Sequence, residues 1–143
     1  MLRGRAAAKL DDKGRLKVPA AFRGYIETTW GRELFITSIA RSSVLVYPMP
    51  VWEETERKIG SLPQSDPALQ KFLDLVSYYG LEGTMDAQGR VLMHAAVRDM
   101  LGDGELAVLG KSNRLEVWNH DTLRGKLSAL TDEELRGLSG LGL

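Results

Sequence analysis

Apolar and polar residues alternate over Arg15-Leu16-Lys17-Val18, which puts two cations on one face of a strand and two aliphatics on the other. One face can enter a core while the other stays wet. Pro19 ends this strand, because it has no ladder donor, and suits the opening of a short helical turn through Phe22. Two further apolar runs, Leu34-Phe35-Ile36 and Val44-Leu45-Val46-Tyr47, read as strands joined by a turn. The same succession then returns. MDAQGRVLMH at residues 85–94 repeats the skeleton of LDDKGRLKVP at 10–19, with Asp11, Gly14 and Arg15 recurring as Asp86, Gly89 and Arg90. Ala20-Ala21-Phe22-Arg23 matches Ala95-Ala96-Val97-Arg98 at the same offset of 75, and the later strands match at offsets of 72 and 71. Each copy of this internal repeat reads strand, turn, strand, short helical turn, strand, turn, strand.

Between the copies the period changes to that of a helix. Trp52, Ile59 and Leu62 lie among charges over Val51 to Leu62, and Gly60 and Pro63 break the run. A second helix follows Ser65-Asp66-Pro67, a cap and then a proline; Leu69, Phe72, Leu73, Val76 and Tyr79 recur at helical spacing until Gly80 closes it. After the second copy, Asp121 is expected to cap a short helix holding Leu123, Leu127 and Leu130, in the place of the first connector helix. Thr131-Asp132-Glu133-Glu134 has the form of a capping box, and the terminal GLSGLGL reads as frayed. The boundaries expected are 5–50 and 80–120 for the two copies, 51–79 for a helical connector, and 121–143 for a C-terminal helix and tail. The aromatic and leucine stripes read as core or subunit interface.

The turn at the centre of each copy has a mechanism. Asp is favoured at the first position of a type I turn, where its carboxylate accepts backbone N–H bonds, and Gly at the fourth. Asp11-Asp12-Lys13-Gly14 and Asp86-Ala87-Gln88-Gly89 both fit, so Asp11, Gly14, Asp86 and Gly89 are the expected turn-structuring residues.

Composition bounds the class. A chain of 143 residues, 43% hydrophobic, suffices for one domain or two small intertwined ones. Nothing at the start reads as an apolar signal core, no run approaches the roughly 18 apolar residues of a membrane span, and no cysteine is present for disulfides or thiolate metal sites. The expectation is a cytoplasmic address and no membrane partner. Lys+Arg and Asp+Glu each number 19, so net charge gives no argument for a polyanion; only the distribution does. Residues 1–23 hold seven cations against two acids, whereas residues 82–98 hold two of each. A basic segment on an otherwise acidic chain is a candidate contact for an anionic polymer, although exposed cations also serve solubility.

The two DxxGR turns, the Leu16–Arg23 stretch LKVPAAFR, the strand end Leu45-Val46-Tyr47-Pro48 and the spacing of the halves resemble the MraZ family, tandem-repeat relatives of the AbrB and SpoVT DNA-binding domains. The similarity covers nearly the whole chain to about residue 130, and two DxxGR motifs with matching flanks make it specific. The resemblance implies an α+β, mainly β fold: two tandem AbrB-like swapped-hairpin half-barrels forming one pseudo-symmetric unit, with connecting helices. It implies a nucleoid-associated, ring-shaped homo-oligomer on double-stranded DNA with short direct repeats. It further implies transcriptional regulation, typically repression, of the bacterial cell-division and cell-wall gene cluster through guanine-containing repeats. The chain departs from the family pattern at Met93-His94, where Ile-Pro is usual, at Leu2, where Phe is common, and at Gln88, which replaces the cation found at Lys13.

Chemistry assigns roles beside the resemblance. Arg15 on a hairpin tip suits the major groove, where a guanidinium donates two hydrogen bonds to guanine O6 and N7, worth about 1–3 kcal/mol of base discrimination. Lys13 suits phosphate, and Arg3 and Arg5, flanking a glycine, suit a flexible arm that adds salt-sensitive affinity. Arg90 is equivalent to Arg15 by position, but Gln88 and Leu92 stand where the first copy has Lys13 and Lys17, which predicts a weaker contact. Leu92 also suggests a second strand buried on both faces. The competing reading pairs Arg15 with Asp11 and Arg90 with Asp86 as ion pairs that fix the turns.

An enzyme is disfavoured. Asp11 and Asp12 are neighbours that a strand would point apart, and Asp12 becomes Ala87 in the second copy. There is no GxSxG, Walker A or HExxH, and His94 and His120 are the only histidines. No catalytic residue, metal ligand or cofactor is expected. The alternative to a DNA-binding regulator is a toxin-neutralising or other protein-binding module on an AbrB-like barrel.

Overall fold

Each repeat copy contributes four strands and a helix. In the computed structural model, which describes residues 1–143, the first copy runs β1 (Leu2–Ala8), β2 (Arg15–Lys17), α1 (Ala20–Trp30), β3 (Glu33–Thr37) and β4 (Val44–Pro48). The connector is α2 (Met49–Ile59) and α3 (Pro67–Tyr78). The second copy runs β5 (Leu81–Thr84), β6 (Arg90–Leu92), α4 (Ala95–Leu101), β7 (Leu106–Ser112) and β8 (Leu115–Asn119), followed by α5 (His120–Lys126), α6 (Asp132–Gly137) and a 3-10 turn at Ser139–Leu141. The fold is α+β; helices hold 40% of the residues and strands 28%, with the sheet at the core. No helix is long and apolar enough to cross a membrane.

Six strands form one antiparallel sheet in the order β1-β7-β8-β4-β3-β5, while β2 and β6 form a separate two-stranded ribbon. The order reads the same from either end once β1 is exchanged for β5, β7 for β3 and β8 for β4. Each copy's first strand lies against the other copy's third, so the copies are swapped into one another. Their registers agree residue for residue: Ala6 stands opposite Val108 as Leu81 stands opposite Ile36.

The core records the same symmetry. Eight equivalent pairs, from Leu16 with Val91 through Phe22 with Val97 and Ile26 with Leu101 to Val46 with Val117, make up sixteen of its eighteen buried members; Leu2 and Met85 complete it. Each such aliphatic contributes roughly 1.5–3 kcal/mol on burial. The sheet, the ribbon and the paired helices α1 and α4 therefore share one core.

Three local expectations are corrected. The helical turn after Pro19 is an eleven-residue helix, because Phe22 and Ile26, four residues apart, both enter the core. In the helix after the second copy it is Asn119, not Asp121, that caps α5, its side chain accepting from the Thr122 N–H. That helix ends at Lys126, so Leu127 and Leu130 lie outside it and are exposed.

The connector packs as an aromatic stack: Trp52 lies 4.7 Å from Phe35, 5.1 Å from Tyr47 and 6.5 Å from Phe72 of α3. Asp66 caps α3 by accepting from the Ala68 N–H. His94, in the N-cap position of α4 that Pro19 fills for α1, donates its Nε2–H to the Tyr79 carbonyl at 2.7 Å. Thr131 and Glu134 form a complete capping box at α6, a helix with no buried residue.

Candidate nucleic-acid interface

The two DxxGR turns adopt the same conformation. Gly14 and Gly89 have φ of 77° and 78°, and each donates its N–H to the Asp three residues earlier at 3.0 Å. The Asp11 N–H donates to the Arg15 carbonyl and the Asp86 N–H to the Arg90 carbonyl, both at 2.9 Å. This is a type I turn extended by a left-handed glycine, a conformation that disfavours any side chain there. Each carboxylate then braces its turn. Asp11 accepts from the N–H groups of Lys13 and Arg15 at 3.0 and 2.8 Å, and Asp86 from those of Gln88 and Arg90, both at 2.9 Å. The Arg15 N–H, ahead of the Arg15 guanidinium and the Lys13 N–H, holds the Asp11 carboxyl below its ordinary pKa. The Arg90 N–H, then the Gln88 N–H and the Arg90 guanidinium, do the same for Asp86.

The same carboxylates hold the arginines. Arg15 Nε donates to Asp11 Oδ2 at 2.8 Å and Arg90 Nε to Asp86 Oδ2 at 3.1 Å. Arg15 Nη1 also lies 3.9 Å from Asp86, across the pseudo-dyad. With Nε engaged, the terminal nitrogens are the donors each arginine has left. Here the copies differ: Arg90 Nη2 is taken by Gln88 Oε1 at 3.1 Å, and Lys13, a cation, offers no such acceptor to Arg15.

Ribbon register sets what faces outward. Leu16 pairs with Val91, both buried, while Arg15 stands opposite Leu92 and Lys17 opposite Arg90. Facing residues of an antiparallel pair share a face, so Arg15, Lys17, Arg90 and Leu92 form one outer surface. The hairpin tip expected to carry Arg15 is thus half of a ribbon built from both copies. Leu92 is 45% exposed, which corrects the expectation of a strand buried on both faces. The turns are clamped by the opposite copy: Val18 N–H donates to the Gly89 carbonyl at 2.8 Å and Met93 N–H to that of Gly14 at 2.9 Å.

A family model described as "MraZ protein, putative antitoxin-like" matches residues 1–75 and 81–135. A protein of Acidobacterium capsulatum named Transcriptional regulator MraZ is 40% identical over the full length of both chains, and one of the same name from Koribacter versatilis is 39% identical, again over all of both. A third, from Chromobacterium violaceum, is 35% identical over 83% of this chain and 81% of its own. The chain belongs to the MraZ family.

In this MraZ chain the structure brings Arg15 and Arg90 together on one ribbon and places Lys13 exposed at a turn tip. It does not bring Arg3 and Arg5 there. Both are exposed on β1, a strand fully paired with β7, rather than on a flexible arm. Arg5 precedes Asp11 by six residues, up to about 20 Å of strand, and its Nη1 meets His120 Nε2 at 3.5 Å.

Four residues received no site role from the sequence. Lys17 and Leu92 complete the outer face, and the alternation around Arg15 and Arg90 already put them there. Arg23 and Arg98 lie over the opposite copy's turn glycine, so close that a Cβ on Gly14 would fall 2.5 Å from Arg98 and one on Gly89 2.6 Å from Arg23. Arg23 Nη2 also donates to the Ala87 carbonyl at 2.7 Å. Their recurrence at an offset of 75 was the available signal. No group of three or more His, Asp and Glu side chains is placed to hold a metal ion.

Proposed function

We propose that this chain is a sequence-specific DNA-binding transcriptional regulator that reads the major groove with the β2–β6 ribbon. The observation that carries this reading is the outer face of that ribbon, where three cations from both copies stand on a rigid two-stranded element whose other face is core. A two-stranded ribbon fits the major groove, and a buttressed arginine with free terminal nitrogens matches guanine O6 and N7. The names of the relatives, transcriptional regulators all, agree. Arg15 is the principal base reader, Arg90 its weaker equivalent, Lys13 a phosphate contact, and Arg3 and Arg5 phosphate contacts from β1. Asp11, Gly14, Asp86 and Gly89 hold the turns. Residues 5–50 and 80–120 act as paired halves, 51–79 connects them, and 121–143 forms a C-terminal helix and tail.

In this proposal the chain works as a ring-shaped homo-oligomer on short direct repeats in the cytoplasm, associated with the nucleoid. It represses the cell-division and cell-wall gene cluster and catalyses nothing. Head-to-tail assembly has two different sheet edges to use, β1 on one side and β5 on the other. Several ribbons on repeated sites multiply a modest single affinity through effective concentration.

Titrating binding to a duplex from upstream of its own gene, with a shuffled duplex alongside, tests the reading. The expected result is preference for the upstream duplex and a log K that falls with log salt by about 0.9 per phosphate contacted. Salt-independent or absent binding contradicts it. A second reading, a protein-binding module of the toxin-neutralising kind, draws on the family description and on Leu127, Leu130, Leu135, Leu138, Leu141 and Leu143, all exposed after the second copy. That reading predicts no DNA preference and a stable complex with a protein encoded nearby.

A further inference from the structure

We propose that Leu92 reads the C5-methyl group of a thymine beside the guanine met by Arg15. The proposal rests on the DNA-binding reading above and names a base that reading leaves open. Leu92 is 45% exposed, although Val91 and Met93 on either side of it are fully buried. It stands directly across the ribbon from Arg15, two residues from Arg90 on the same strand, and diagonal to Lys17. Its equivalent in the first copy is Lys17 itself.

A leucine ringed by three cations is a poor seat for an apolar protein surface, since whatever covers it must also desolvate the three charges. A polyanion meets those charges and needs only one apolar spot on the floor of its groove. On the base edges of the major groove that spot is the thymine methyl, and no other base pair offers one. Spacing agrees. Facing side chains of an antiparallel pair have Cβ atoms about 4.5–5.5 Å apart, and bases along a strand follow at about 3.4 Å. Arg15 and Leu92 therefore address neighbouring base pairs. The other end of the ribbon pairs Arg90 with Lys17 and carries no apolar side chain. A scaffold built on a pseudo-dyad thus reads a step that has none.

The test uses the full chain and a random-sequence duplex library. Wild type is expected to enrich a guanine with thymine at one adjoining position, and Leu92→Ala to keep the guanine and accept any base beside it. The selected duplex is then rebuilt with deoxyuridine for that thymine, which removes one methyl group. Wild type should lose about four-fold in affinity, the equivalent of one buried methyl-sized group, and Leu92→Ala should lose nothing on the same exchange. The deoxyuridine arm alters only the DNA, so it is independent of how the variant folds. Equal binding of the two duplexes by wild type overturns the proposal, as does an equal loss in wild type and Leu92→Ala. Enrichment of guanine without a neighbouring thymine overturns it while leaving the DNA reading in place. A library from which wild type enriches nothing overturns both.

Discussion

The turns at Asp11–Arg15 and Asp86–Arg90 share a backbone and differ in what they present. Their glycines differ by one degree in φ, and their Asp-to-backbone and Asp-to-Arg bonds differ by at most 0.3 Å. Yet Lys13 faces solvent as a free cation where Gln88 holds Arg90, and Lys17 is matched by Leu92. The lesson is a division of labour. Asp and Gly fix the turn through local hydrogen bonds and a left-handed backbone, so those positions repeat; positions that only face outward are free to diverge and set what each half touches. A similar divergence separates the connectors, where Trp52 stacks under α3 in the first copy while its equivalent Leu123 sits in a small cluster with Ala107 and Trp118.

The sameness of the copies is most severely tested at the core. Leu16→Ala is expected to cost about 2–5 kcal/mol of unfolding free energy, read by chemical denaturation. Because the strands are swapped and Leu16 lies against Val91, both halves should unfold in one transition. Two separate transitions would mean that the copies are independent. Next in size, Gly14→Ala and Gly89→Ala should each cost about 1–2 kcal/mol for a side chain at positive φ, with the two values close together. A large gap between them would show that Arg23 and Arg98 do not yield alike.

Gln88→Lys sharpens the difference rather than the sameness. It gives the second turn the first turn's cation and removes the acceptor that holds Arg90 Nη2, and the salt slope of DNA binding should steepen by about 0.9 for one added phosphate contact per ribbon. An unchanged slope would place that turn away from the backbone. The smallest effect is in acid. Asp11 and Asp86 have carboxyl pKa values lowered in the fold, so the stability they add is present above the ordinary value of about 3.9 and is lost as pH falls from there through the lowered values. The acid limb of a melting-temperature profile should flatten in Asp11→Asn with Asp86→Asn; an unaltered limb would assign acid loss elsewhere.

Much of this was visible in the sequence because it is local. The turns, the cap at Asp66 and the capping box at Thr131 rest on residues two to four apart. Strand partners are not local: the apolar run Leu34–Ile36 says that a strand is buried but not that β5 of the other copy lies alongside. Arg3 and Arg5 suit an arm because they flank Gly4 near the N-terminus, and only the pairing of LRGRAAA with β7 makes it a strand. Helix α1 was underestimated because Gly24, Thr28 and Thr29 are weak helix formers, and the burial of Phe22 and Ile26 outweighs them. Leu92 was misread by composition when its period, two residues on from the outward Arg90, already placed it outside.

The central claim is that the ribbon reads bases and that Arg15 leads. The most direct measurement is the ratio of affinities for the upstream and shuffled duplexes in wild type, Arg15→Ala and Arg90→Ala, with melting temperature measured on the same samples. The account predicts that Arg15→Ala remains folded and oligomeric and loses roughly 1–3 kcal/mol of discrimination, while Arg90→Ala loses less. Arg15→Ala discriminating as wild type does, or losing DNA only because it unfolds, would contradict it.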